Sequence, residues 1–141
     1  MVLGGVQLAA TGGLIGHSDA DVLLHAICDA LLGACALGDI GVHFPPTEAR
    51  FAGIDSRLLA GETVRILREH GFRPMQIDAT VIAEAPKIMP HALAMREEIA
   101  RVLGIDLAMV SVKATTNEKL GFLGRGEGIA AQAVAVVAPI P

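Results

Sequence analysis

The feature that most constrains this chain is its punctuation by glycine. Three stretches that read as helices each run into one, at Gly38, Gly71 and Gly104. Glycine takes the left-handed backbone that ends a helix at no steric cost, so each marks a C-terminus. The first stretch opens at Ser18 or Asp19-Ala-Asp21, a capping group with acids in the first turn, and runs to about Leu37. The second is capped by Asp55 or Ser56 and runs through His70; the third spans His91–Leu103. Met75–Ala83 alternates, with Ile77, Ala79 and Val81 on one face, as a strand does. Val110–Ala114 and Ile129–Val137 read as further strands, and Val2–Leu8 as the end of another. Gly38–Arg50 reads as a loop, Pro86 and Pro90 bracket a turn, and Thr115–Gly128 is a glycine-rich loop with room for a helical turn. This order predicts one α+β domain over residues 1–141, a mixed four-stranded sheet covered on one face by helices.

Composition enters through the core. Apolar residues make up 52% of the chain and aromatic residues 3%, so Ala, Val, Ile, Leu and Gly must fill it. Small side chains allow close packing, within the domain and between subunits. The net charge of -4, without a basic run, gives no footprint for nucleic acid. No apolar run is long enough to span a membrane and no signal pattern opens the chain, so a cytoplasmic protein is expected. Cys28 and Cys35 sit two turns apart on one predicted helix, too far for a disulfide, and read as small hydrophobes.

Four clusters carry the polar chemistry. Asp21, His25 and Asp29 recur every fourth residue, which places an imidazole between carboxylates on one helix face. Such a set is either a metal ligand with its orienting acids or a surface charge stripe. His17 and Ser18 precede the helix N-terminus, where they either meet an anion or only cap. In Lys113-Ala-Thr-Thr-Asn-Glu118, Thr115 and Thr116 offer hydroxyls to a phosphate and Glu118 a carboxylate to a divalent cation; the alternative is an ordinary polar loop. Asp39, before Gly41, accepts sugar hydroxyls or caps a turn. Ala83-Glu-Ala-Pro-Lys-Ile-Met89 offers exposed backbone to a base or sugar, or is a stiffened connection.

These blocks, in this order, resemble the 2-C-methyl-D-erythritol 2,4-cyclodiphosphate synthase family. The resemblance rests on His17-Ser-Asp-Ala-Asp21 with His25, Leu37-Gly-Asp-Ile-Gly41, Ala85-Pro-Lys87, Lys113-Ala-Thr-Thr116, and Leu120-Gly-Phe122 through Gly124-Arg-Gly-Glu-Gly-Ile129. It implies a Bacillus chorismate mutase-like fold and a homotrimer with active sites between subunits. It implies a lyase of non-mevalonate isoprenoid synthesis. In that reaction the 2-phosphate of 4-diphosphocytidyl-methylerythritol 2-phosphate attacks the β-phosphorus, CMP leaves and a cyclic diphosphate forms. It implies Zn²⁺, or another divalent transition metal, at His25, and Mg²⁺ or Mn²⁺ at Glu118. His17 and Thr116 match positions that stabilise the transferring phosphates. The matching substrate-contacting positions are Ser18, Asp39, Ile40, Gly41, Phe44, Pro45, Pro46, Thr47 and Glu48, then Ala83, Glu84, Ala85, Pro86, Lys87, Ile88 and Met89, then Thr115, Thr116, Asn117 and Glu118. Phe122, Arg125 and Glu127 match residues that close an axial cavity able to take isoprenoid diphosphates.

The chain departs from the family in three places. An N-terminal strand carrying an Asp-Val-His metal motif, with two further zinc ligands, is expected before Leu3-Gly-Gly5 and does not occur in these residues. The expectation is an N-terminally incomplete domain: a start assigned at an internal Met, a fusion boundary with a cytidylyltransferase, or a shortened gene whose product binds nucleotide without turnover. Pro46 stands where an Asp accepting ribose hydroxyls is usual, and Glu84 where Gln is common.

Overall fold

The computed structural model describes residues 1–9 and 19–141. In chain order it places β1 (Val2–Leu3), β2 (Val6–Gln7), α1 (Val22–Ala34), α2 (Ile40–His43), α3 (Ser56–Glu69) and β3 (Phe72–Ile82). Then come α4 (Ala92–Leu103), β4 (Val110–Thr115), α5 (Gly121–Gly124) and β5 (Ala130–Pro139). β3 is the central strand, with β4 parallel on one side and β5 antiparallel on the other. A mixed sheet with helices on one face is therefore what forms.

Alternation along β3 sets the layers. Ile77, Ala79 and Val81 point to the core and are almost fully buried. Val110 and Val112 of β4 are buried beside them, and Ala131, Ala133, Ala135 and Val137 of β5 pack against the same core. The helices supply Leu23, Leu24, Ile27, Leu31 and Leu32 from α1, Leu67 from α3, and Met95, Ile99 and Leu103 from α4. Fully burying one such aliphatic side chain stabilises by about 1.5–3 kcal/mol, which is how a core almost without aromatics holds together. The opposite face of β5 is open, with Val134 68% and Val136 50% exposed.

The sheet differs from expectation at one edge: among the described residues it has three strands, not four. Val2–Leu8 does not join it. The segment folds on itself as the β1–β2 hairpin, turning at Gly4 and Gly5 with φ of +59° and +76°. α1 stops at Ala34, short of Leu37, because Ala36 takes φ +57° and the Leu37 N–H returns to the Leu32 carbonyl. This Schellman-type stop uses an alanine where glycine is the usual signal. The other two stops follow expectation: Gly71 follows the cap of α3, and Gly104 is the left-handed cap of α4 at φ +68°. β3 begins at Phe72, ahead of Met75, and the irregularity sits between Pro74 and Gln76, where proline lacks an N–H for the ladder.

Candidate active site

Spacing places Asp21, His25 and Asp29 on one face of α1, yet the structure gives each a separate task. Asp21 is fully buried, caps α1 by accepting from the Leu24 N–H at 3.0 Å, and clamps the β1–β2 turn by accepting from Gly4 at 2.9 Å and Gly5 at 2.7 Å. Burial pushes its carboxyl above the ordinary carboxylate value, against the pull of those N–H donors. Asp29 accepts from the Ile40 N–H at 2.9 Å and fixes the start of α2. The two acids thus hold backbone on either side of His25.

His25 looks toward the start of α3. Its Nε2 lies 3.0 Å from Ser56 Oγ, and Ser56 in turn reaches Asp19 through a short hydroxyl–carboxylate bond and a 3.1 Å backbone N–H bond. A carboxylate only accepts, so the Ser56 hydroxyl donates to Asp19 and receives from His25. The Nε2–H is therefore fixed, and the lone pair of neutral His25 lies on Nδ1. This relay of an acid orienting an imidazole is the arrangement a metal-binding histidine uses.

A pocket of about 220 Å³ opens beside His25, walled by Ile40, Gly41, Phe44, Pro46, Phe51, Ile54 and Leu59. Of the expected substrate positions, Ile40, Gly41, Phe44 and Pro46 thus meet His25; Pro45, Thr47 and Glu48 do not line the pocket, and Glu48 pairs with Arg50. Phe51, Ile54 and Leu59 had not been singled out, although Phe51 and Ile54 are conspicuous apolar residues in a polar connector. Phe51 packs edge-on to Phe44 with ring centres 5.4 Å apart. Asp39 does cap a turn, accepting from the Val42 N–H at 3.0 Å with one oxygen. Its other oxygen has no partner among the described residues and the side chain is exposed.

The second group of residues gathers where β3 and β4 end. The Ala83 N–H donates to the Thr115 carbonyl at 3.0 Å, joining the Ala83–Met89 segment to the Thr115–Glu118 turn. Ala83 and Ile88 are buried, while Ala85, Lys87 and Met89 are exposed. Ala85-Pro86 is a cis peptide. Thr115 through Glu118 are all exposed. Thr116 Oγ1 accepts from the Glu118 N–H at 3.2 Å, and its own proton has no acceptor among the described residues. Glu84 accepts from the backbone N–H of Asn117 and of Lys119.

Two cations of these motifs pair with carboxylates. Lys113 pairs with Asp78 at 3.0 Å across the strands, and Arg125 pairs with Glu127 at 2.9 Å. Phe122 stands 57% exposed beside that pair on α5. Cys28 is buried, its thiol pushed up to about 12, and both cysteines are free. His17 and Ser18 lie outside the described residues.

Among the described residues no three His, Cys, Asp or Glu side chains converge to hold a metal. A catalytic zinc takes three protein donors. The described residues offer His25 as one oriented donor and do not by themselves complete that site. Magnesium asks less, one or two carboxylates with phosphate and water completing the shell. The exposed Glu118 beside Thr116 fits that demand. No helix among the described residues is long and apolar enough to cross a membrane.

The chain is similar to known proteins over nearly its full length. The 2-C-methyl-D-erythritol 2,4-cyclodiphosphate synthase of Xanthomonas campestris pv. campestris is 58% identical over 140 residues, 99% of this chain and 86% of that protein. Bifunctional IspDF from Campylobacter jejuni superposes with a TM-score of 0.95 at 43% identity, covering 99% of this chain and 38% of that longer one. The CDP complex of IspF from Plasmodium falciparum superposes with a TM-score of 0.86 at 31% identity, covering 100% of this chain and 85% of that one. The profile of the YgbB family matches residues 1–138. On these matches the chain belongs to the YgbB family, that of the 2-C-methyl-D-erythritol 2,4-cyclodiphosphate synthases.

Proposed function

We infer that the chain catalyses the reaction its relatives are named for. It closes 4-diphosphocytidyl-2-C-methyl-D-erythritol 2-phosphate into 2-C-methyl-D-erythritol 2,4-cyclodiphosphate with release of CMP. An oxygen of the 2-phosphate forms a bond to the β-phosphorus. The bond from that phosphorus to the bridging oxygen breaks, and CMP leaves with that oxygen on its phosphate. Both partners belong to one molecule, so positioning and charge neutralisation carry the catalysis.

The apolar pocket beside His25 suits the methyl-bearing carbon chain and keeps water from it. The second oxygen of Asp39 would accept a substrate hydroxyl. The Thr116 hydroxyl donates a hydrogen bond to a phosphate oxygen as negative charge shifts, and His17 supports the same charge. The backbone of Ala83 through Met89, with Thr115 and Asn117, takes the cytidine end; the likeness to a CDP complex supports this reading. His25 and Glu118 are the donors this chain offers to divalent ions, Zn²⁺ or a similar metal at the first and Mg²⁺ or Mn²⁺ at the second. When bound, such ions neutralise and orient the diphosphate.

We place these parts in a homotrimer with the Bacillus chorismate mutase-like fold, its sites shared between subunits. The uncovered face of β5, with exposed Val134 and Val136, supports that assembly, since apolar sheet faces are normally buried. Phe122, Arg125 and Glu127 would then close an axial cavity for an isoprenoid diphosphate. The cytoplasm is the compartment this soluble chemistry fits.

The observation that carries the reading is the apolar pocket beside an oriented histidine; the hydroxyl- and carboxylate-bearing turn after β4 is read as the other half of the site. The test is CMP release from the substrate with Zn²⁺ and Mg²⁺ present. Steady turnover, lost in His25→Ala, is the expected result. Cytidine nucleotide bound with no CMP released would replace the reading with a binding-only protein.

A further inference from the structure

Glu84, unlike Glu118, uses its carboxylate to hold the backbone of a neighbouring segment. It lies just past β3, and a single oxygen accepts from the Asn117 N–H at 3.1 Å and the Lys119 N–H at 3.0 Å. Those amides flank Glu118 in the turn. Glu118 and Lys119 both take left-handed backbone, φ +53° and +60°, which non-glycine residues adopt only when held there. Other contacts brace the turn. Asn117 Nδ2 donates to the Leu120 carbonyl at 2.7 Å, and a Cβ on Gly124 would fall 2.1 Å from the Lys119 carbonyl carbon. The bonds to Glu84 are the charge-assisted ones of the set, and they tie the turn to the segment just past β3.

A carboxylate beside a substrate bearing several phosphates is unexpected on electrostatic grounds. It is tolerable where backbone dipoles already balance it, and two converging amides do so. The same two bonds decide which groups of the turn remain for substrate: the Thr116 hydroxyl and the Glu118 carboxylate.

We propose that Glu84 is a positioning residue for the phosphoryl transfer, its carboxylate locking the 115–120 turn so that Thr116 and Glu118 meet the phosphates in one arrangement. Glutamine retains an acceptor oxygen of the same reach, so Gln at 84 preserves the lock in weaker form. Alanine removes it and frees two amides. The proposal rests on reading the chain as a cyclodiphosphate synthase, and its test has one arm that does not depend on that reading.

In the first arm, amide exchange is followed by NMR in the full chain. In Glu84→Ala the Asn117 and Lys119 amides should exchange about tenfold faster or more, with Ile77 and Leu67 unchanged; Glu84→Gln should keep most protection. Unaltered protection at Asn117 and Lys119 overturns the proposal. In the second arm, steady-state CMP release in Glu84→Ala should show kcat down about tenfold or more with KM within about threefold, and Glu84→Gln should recover most of kcat. Lost protection with undiminished kcat, or equal losses in both variants, also overturns it. Wild type that releases no CMP defeats the functional reading, and amide exchange then decides the lock by itself.

Discussion

The start of α1 and the turn after β4 are built from similar residues and spend them in opposite ways. Around α1, Asp21, Asp29 and Asp19 are all taken up by partners within the chain: three backbone N–H groups, the Ile40 N–H, and Ser56. Only His25 among the polar side chains of that helix face borders the pocket. In the 115–120 turn the balance differs: Glu84, Thr116 Oγ1 and Asn117 bond to backbone, while the Glu118 carboxylate and the Thr116 hydroxyl proton have no partner among the described residues and both residues stay exposed. An acid in a motif is thus not evidently a ligand; whether backbone donors surround it decides.

The largest test of that contrast is Asp21→Ala. It removes an N-cap, at about 1 kcal/mol, and strands the Gly4 and Gly5 amides, so a total of about 3 kcal/mol is expected. For a chain of this length that is a fall in Tm of roughly 6–12 °C, read by calorimetry. Turnover per folded molecule should stay within a few-fold at permissive temperature. Glu118→Gln should do the opposite, with turnover down about a hundredfold and Tm unmoved. A fall in Tm matching that of Asp21→Ala would erase the distinction between the two regions.

Ser56→Ala sits between them. It breaks the link from Asp19 to His25, so a modest loss of about 1 kcal/mol in stability is expected along with weakened zinc affinity of roughly 10-fold or more, measured by competition with a chelator. Zinc affinity equal to wild type would mean that the ring is oriented by other contacts.

The smallest effect concerns pH. Burial holds the Asp21 carboxyl above its ordinary 3.8, so in the window just above that value the folded chain keeps a proton the unfolded chain has released. Stability from this group therefore declines as pH rises through the window. Asp55, Glu62 and Glu98 are lowered by Arg57, Arg65 and Arg101 and act with the other sign, losing their contribution as pH falls. Subtracting urea melts of Asp21→Asn from wild type between about pH 4 and 6 isolates the first limb. A difference that does not change over that range would show that Asp21 keeps an ordinary titration.

Much of the fold could be read from residue order, for reasons visible in particular places. The stops after α3 and α4 could be read because glycine takes the left-handed conformation there. The stop of α1 could not, because Ala36 takes it instead and nothing local announces that. The start of β3 was hidden by Pro74, whose ring argues against a strand yet is accommodated at the irregularity facing β5. The fate of Val2–Leu8 depends on a carboxylate sixteen or more residues away, a contact that periodicity cannot register. At the candidate site, spacing could not tell the acids that hold backbone, Asp21 and Asp29, from His25, which borders the pocket; their hydrogen-bond partners separate them. Two pocket walls, Phe51 and Ile54, come from the connector before α3 and Leu59 from α3 itself, and no pattern in either marks them as walls.

The most direct test of the account is a structure of the assembled protein with CDP and Mg²⁺. The account predicts a diphosphate oxygen about 3 Å from Thr116 Oγ1, with the cation on Glu118. A diphosphate seated away from both side chains, with Thr116 and Glu118 still facing solvent, would contradict it.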